Sequence, residues 1–114
     1  MMNSRKKGMA AETIACRFLE MQGYEILEQN FMIRTGEIDI IAKEKDTIVF
    51  IEVKYRKDTG CGYPSEAVDG KKQHKIRQTA MVYLKQRGFS FDIPLRFDVV
   101  EILGKKIRVI KHAF

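Results

Sequence analysis

The sequence predicts an α/β domain: a mixed β-sheet flanked by helices, with an αβββαβ core and one further C-terminal strand. Three observations predict it. Two segments carry apolar residues at helical spacing, five are rich in β-branched or aromatic residues, and the second helical segment falls between strands, where it serves as a crossover. A chain of 114 residues has room for one such domain, spanning residues 1–114, and can bury a core without disulfides.

From Gly8 to Gln22, apolar side chains fall at Ala11, Ile14, Ala15, Phe18 and Leu19, an amphipathic stripe that Gly23 closes. Glu12 lies at the margin of that stripe, so its carboxylate can look into the protein. Tyr24 to Asn30 reads as a short strand, and Thr35 to Ala42 and Thr47 to Lys54 read as two more, giving three antiparallel strands in the simplest arrangement. Residues 55–68 read as a loop with Gly60, Gly62 and Pro64. Asp69 can cap a second helix running to Arg87, with Ile76, Ala80, Tyr83 and Leu84 inside and Lys71, His74, Lys75 and Lys85 outside. Leu95 to Ile102 follows as a strand, and a turn at Gly104-Lys105 leads to Ile107 to His112.

Composition narrows the classes. With 45% apolar and 32% charged residues, 8 Gly and 2 Pro, collagen-like and low-complexity chains are excluded and disorder is disfavoured. No apolar run approaches the ~20 residues of a membrane span, and no signal-like apolar region follows the basic start at Arg5, Lys6 and Lys7. Cys16 and Cys61 fit neither a redox pair nor a zinc site, so a reduced, cytoplasmic protein is expected. The net charge of +6 is concentrated: residues 53–87 hold nine Lys/Arg against Asp58, Glu66 and Asp69, while the remainder is balanced. A polyanion suits such a patch, although a solvated lysine-rich helix would look the same.

The chemistry concentrates in Gly36-Glu37-Ile38-Asp39-Ile40-Ile41-Ala42 and Ile48-Val49-Phe50-Ile51-Glu52-Val53-Lys54. A hairpin symmetric about Lys45-Asp46 sets Asp39 opposite Glu52 and Glu37 opposite Lys54, all four on one face. The other face, Ile38, Ile40, Ala42, Val49, Ile51 and Val53, is wholly apolar and must be core. Neighbouring strands are ~4.8 Å apart, so the two carboxylates can converge on one cation at the ~2.1 Å oxygen distance of magnesium. That cation would relieve the repulsion of facing like charges, and Lys54 can position an attacking water or stabilise phosphoryl charge. The acidic-x-Lys triplet alone is weak, because Asp69-Gly70-Lys71 repeats it. A plain ribbon with its polar face in water and a Glu37–Lys54 ion pair is the competing reading.

Other residues carry less. Gln73 and Lys72 can point toward the site or lie at a polar helix edge, Asp98 beside Arg96 suits a structural ion pair better than catalysis, and Tyr83 suits the core. His74 and His112 lack partners at metal-ligand spacing.

Gly8-x-x-x-Glu12, Gly23-Tyr24-x-Ile26-Leu27, Asn30-Phe31, the Gly36 to Ala42 run, Phe50-Ile51-Glu52-Val53-Lys54-x-Arg56, Glu66-Ala67-Val68, Lys72-Gln73, Arg96 to Val100 and Ala113-Phe114 together resemble the YraN-like family of small bacterial proteins. The resemblance spans essentially the whole chain. It implies a restriction-endonuclease-like fold similar to archaeal Holliday junction resolvases, and Mg²⁺- or Mn²⁺-dependent hydrolysis of phosphodiester bonds in DNA, including branched or structured DNA. It also implies Asp39 and Glu52 as metal ligands, Lys54 as the water-positioning or charge-stabilising lysine, Glu12 as an accessory acid, and a homodimer. Tyr55 departs from the family, where a small polar residue is more usual. The basic loop and second helix would then hold phosphates through Arg56, Lys57, Lys71, Lys72, Gln73 and Lys75. DNA is the expected partner, with RNA not distinguished and no membrane involved. The alternatives are a non-catalytic nucleic-acid-binding module that kept the fold and a module that docks an acidic protein.

Overall fold

Helix α1 (Ser4–Met21) and strands β1 (Glu25–Ile33), β2 (Gly36–Glu44) and β3 (Thr47–Arg56) precede helix α2 (Gly70–Gln86), which is followed by β4 (Leu95–Leu103) and β5 (Lys106–Ile110). The element order is the expected one. The computed structural model describes residues 4–56 and 68–114, with side chains from residue 10 onward in α1. Most of the anticipated loop, with Gly60, Gly62 and Pro64, lies outside the described residues, whereas Tyr55 and Arg56 continue β3. Asp69 caps α2 as predicted, its carboxylate accepting from the Lys72 N–H at 2.8 Å. Gly88, at φ 73°, takes the left-handed turn just beyond the helix end.

The five strands form one sheet in sequential order, antiparallel except for the parallel β3–β4 pair. Antiparallel neighbours need only short turns, but a parallel pair needs a crossover, and α2 supplies it. The two helices cover opposite faces. Ala11, Ala15, Cys16 and Leu19 of α1 pack with Ile40, Ala42, Val49, Ile51, Val100 and Ile102, while Ile76, Ala80, Tyr83 and Leu84 of α2 pack with Ile41, Ile48, Phe50, Phe97 and Val99.

The competing ribbon reading and two expectations need correction. The face that carries Glu52 is not a polar ribbon face: Ile41, Ile48 and Phe50 bury it under α2, and it turns polar only toward one end of β3. The parallel partner is the reason, because a central strand in such a pair is covered on both sides. Ile38 does not join Ile40 and Ala42; it packs under α2 beside Ile41, so strict alternation breaks across Asp39. Asn30, at φ 53°, marks the matching irregularity in β1, between the Gln29↔Ile40 and Phe31↔Ile38 pairs. Finally, Ile14 is half exposed and Cys16 is buried in its place, so the buried stripe of α1 is Ala11, Ala15, Cys16 and Leu19. The helix is rolled toward Cys16 by about half the angle between successive residues. That roll carries Glu12, one turn before Cys16, inward to a half-buried position.

Gly36 fixes how closely β2 approaches α2. A Cβ there would collide with the Thr79 hydroxyl, itself buried and donating to the Lys75 carbonyl at 2.7 Å. The absent side chain lets the β1–β2 turn close against the helix.

Candidate functional site

The site begins where the β2–β3 ladder stops. Paired residues run from Glu44↔Thr47 to Ile40↔Ile51, the symmetry expected about Lys45-Asp46. At the next step the strands part, and the Val53 N–H donates to Asp39 Oδ2 at 2.8 Å. Asp39 therefore does not sit in a simple cross-strand pair with Glu52. Its carboxylate fills the opening, where groups from both faces of the sheet reach it.

From α1 comes Glu12. Its carboxyl is pushed above the usual range by burial first and the Asp39 charge second, against an opposing hydrogen bond with Asn30. From β3 comes Glu52, only 5% exposed. Burial, and after it the Asp39 charge, push the Glu52 carboxyl up to about 7, while Lys72 and Lys54 pull the other way. From α2 comes Lys72, whose Nζ stands 3.2 Å from Glu52 Oε2. Burial alone would lower the pKa of this ammonium, but Glu52, their hydrogen bond and Asp39 outweigh it and raise it. Lys54, half-buried, stands beside both Lys72 and Glu52. Asp39, Glu52, Lys54 and Glu12 are thus brought together, with Lys72 and Asn30 added.

Sequence reasoning left Lys72 open between the site, a polar helix edge and the phosphate contacts, and left Asn30 out of the site. An asparagine closing the expected strand was the available signal for the second, since Asn tolerates the left-handed conformation better than most residues. Gln73 is turned to a different task, its Nε2 donating to the Val68 carbonyl at 2.7 Å and holding the chain that enters α2. Lys71, His74 and Lys75 are exposed along α2, and Arg56 is exposed at the end of β3. Lys57 lies outside the described residues, as do Cys61, Tyr63 and Glu66. Glu37 is exposed, and among the described residues no ion pair joins it to Lys54.

Among the described residues no three His, Cys, Asp or Glu side chains stand ready as a metal cage. The donor set still suits a hard divalent ion, since magnesium commonly uses one or two carboxylates and completes its shell with water and phosphate oxygens. A buried carboxylate held near its protonation point beside a second one is the electrostatic situation that a cation relieves.

The remaining charged groups inside the sheet are structural. Asp98 is fully buried and takes both Arg96 Nε at 2.8 Å and Nη2 at 2.9 Å, with the Tyr24 hydroxyl donating at 2.9 Å, as its spacing from Arg96 suggested. Tyr83 is core, its ring edge-on to Phe31 and Phe50.

No helix among the described residues is long and apolar enough to cross a membrane. The model of Uncharacterised protein family UPF0102 matches residues 11–102. A UPF0102 protein of Lachnoclostridium phytofermentans is 46% identical over 113 residues, covering 99% of this chain and 96% of the relative. One from Acetivibrio thermocellus is 47% identical over 98% of this chain and 93% of its own length, and one from Clostridioides difficile is 44% identical over 99% and 100%. With a match of this extent across the sheet, both helices and every described site residue, the chain belongs to the UPF0102 family.

Proposed function

We propose that the chain is a divalent-metal-dependent nuclease of restriction-endonuclease-like type that hydrolyses phosphodiester bonds in DNA, branched or structured DNA included. The observation that carries this reading is the convergence of Asp39 and buried Glu52 with two lysines where the strands part. Asp39 and Glu52 would hold Mg²⁺ or Mn²⁺, which when bound polarises a phosphoryl oxygen and acidifies a water.

The chain's own groups do the rest. Glu52 must lose its proton, which its position near 7 permits at neutral pH. Lys54 positions the attacking water or stabilises charge on the phosphoryl oxygens. Glu12, with its raised pKa, can hold a proton nearer neutrality than an ordinary glutamate and pass it within the cluster through Asp39. Lys72, nearly half exposed, can turn from Glu52 to a phosphate as substrate arrives.

One observation favours a binding module without turnover: the Lys72 ammonium already stands 3.2 Å from Glu52 Oε2 and competes with a metal ion for that oxygen. Incubating linear, single-stranded and four-way DNA with Mg²⁺ or Mn²⁺ separates the two. Under the nuclease reading Glu52→Gln and Asp39→Asn each cut cleavage by about 100-fold or more while binding persists. Cleavage that survives both substitutions places the activity elsewhere, and wild-type binding without cleavage on every substrate supports the module.

A further inference from the structure

The β1–β2 turn and the first turn of α2 enclose a groove of about 610 Å³. Gly36 lines it, its missing Cβ letting the turn lie close to Thr79 of the helix. Arg34 from the turn and Lys71, Lys72 and Lys75 from α2 line it, against the two acids Glu37 and Asp69. Asp69 is committed to capping the helix, so cations dominate what a ligand meets. Met32, 68% exposed, and Ile33 add an apolar wall. Lys72 lines the groove and also touches Glu52, so the groove opens onto the candidate catalytic pair.

Cations facing an apolar wall fit an anion attached to a flat, hydrophobic body. The volume lies within the roughly 300–1,000 Å³ of pockets that hold a small ligand, so the groove can take one nucleotide, and only an unstacked base can turn its face to Met32. We propose that this groove holds an unpaired nucleotide of a polynucleotide strand, its phosphate toward Arg34, Lys71 and Lys75 and its base against Met32 and Ile33. This deepens the nuclease reading and rests on it for the adjoining site: the substrate is a strand with an unpaired segment beside the bond to be cut.

Binding is tested without divalent metal, in EDTA, by fluorescence anisotropy of a labelled single-stranded oligothymidylate and of a blunt duplex annealed from two strands. Arg34 and Lys75 are both exposed, so Arg34→Glu with Lys75→Glu leaves the core untouched. The pair is expected to weaken the single strand by about tenfold or more and the duplex distinctly less. Met32→Ser is expected to weaken the single strand by about threefold and leave the duplex unchanged. Unchanged oligothymidylate affinity in the double variant, or equal losses on both probes, overturns the proposal. Catalysis plays no part in these readings, so failure of the groove is distinguishable from failure of the nuclease, which Glu52→Gln decides in the presence of metal.

Discussion

Glu52 shows how one side chain carries a cost that its surroundings only partly offset. Its carboxyl titrates at about 7 in the folded protein against an ordinary 4.5, because burial and Asp39 oppose ionisation more strongly than Lys72 and Lys54 favour it. The folded state therefore holds the proton more tightly than the unfolded chain. The stability that the bound proton contributes, on the order of 3 kcal/mol in all, is full below about 4.5, declines as pH rises and is gone above about 7. Glu52→Gln keeps the shape and removes the charge. Thermal melts in EDTA are expected to show the variant several degrees more stable than wild type at pH 8 and nearly equal to it at pH 4.5. A variant less stable at pH 8 would mean that the two lysines already overcompensate. The same titration governs any cation held by Asp39 and Glu52: Mn²⁺ affinity, followed by electron paramagnetic resonance, should rise with pH up to about 7 and then level.

At the scale of elements, the closest approach is between β2 and α2. Gly36→Ala would drive its methyl into the Thr79 hydroxyl, and because Thr79 is buried it cannot swing aside freely. A loss of about 1–3 kcal/mol in urea denaturation is expected. Thr79→Ala removes the clashing group, so in the double variant the cost of Gly36→Ala should shrink by at least about half, a coupling that a double-mutant cycle reads directly. The sequence carried some of these relations plainly. The hairpin register about Lys45-Asp46 followed from symmetry and the Asp69 cap from residue type, but the Asp39–Glu52 pair that the register set face to face is replaced by an approach across the opening where the ladder ends. Other relations were not local. Periodicity defines a stripe but not its rotation, so Ile14 was drawn inside and Cys16 was not. The Lys72–Glu52 contact depends on how the crossover lays α2 across the sheet, and the burial of Phe50 depends on β4 becoming a parallel neighbour. Neither can be written in the spacing of residues within one segment.

Across the whole molecule, the two ends of β2 serve different purposes. The Gly36 end gathers Asp39, Glu12 and the groove, while the Glu44 end meets a network that ties distant parts of the chain together. Asp98 on β4 accepts from Arg96 on the same strand, from Tyr24 at the entry to β1, and from the His112 N–H after β5 at 3.2 Å. Arg96 Nη2 continues to Glu44 Oε1 at 2.7 Å, and Lys111 Nζ reaches Glu44 Oε2 at 3.0 Å. Every buried side-chain polar atom among the described residues has a partner, so this network is satisfied and its removal leaves orphans. Asp98→Ala leaves the Arg96 Nε–H, the Tyr24 hydroxyl proton and the His112 N–H without their acceptor, while Arg96 keeps Glu44. A loss of about 3–5 kcal/mol is expected from urea denaturation. Asp98→Asn keeps one of the two oxygen acceptors but loses the charge and sets an NH2 donor against a pair of donors, so it should recover only part of that loss. Nucleic-acid affinity, measured under conditions where the variant remains folded, should not follow the loss, because the groove cations Arg34, Lys71 and Lys75 belong to the other end of the sheet. A parallel fall in affinity would show that the Glu44 end sets the position of the groove, and the two ends of β2 would then have to be treated as one device.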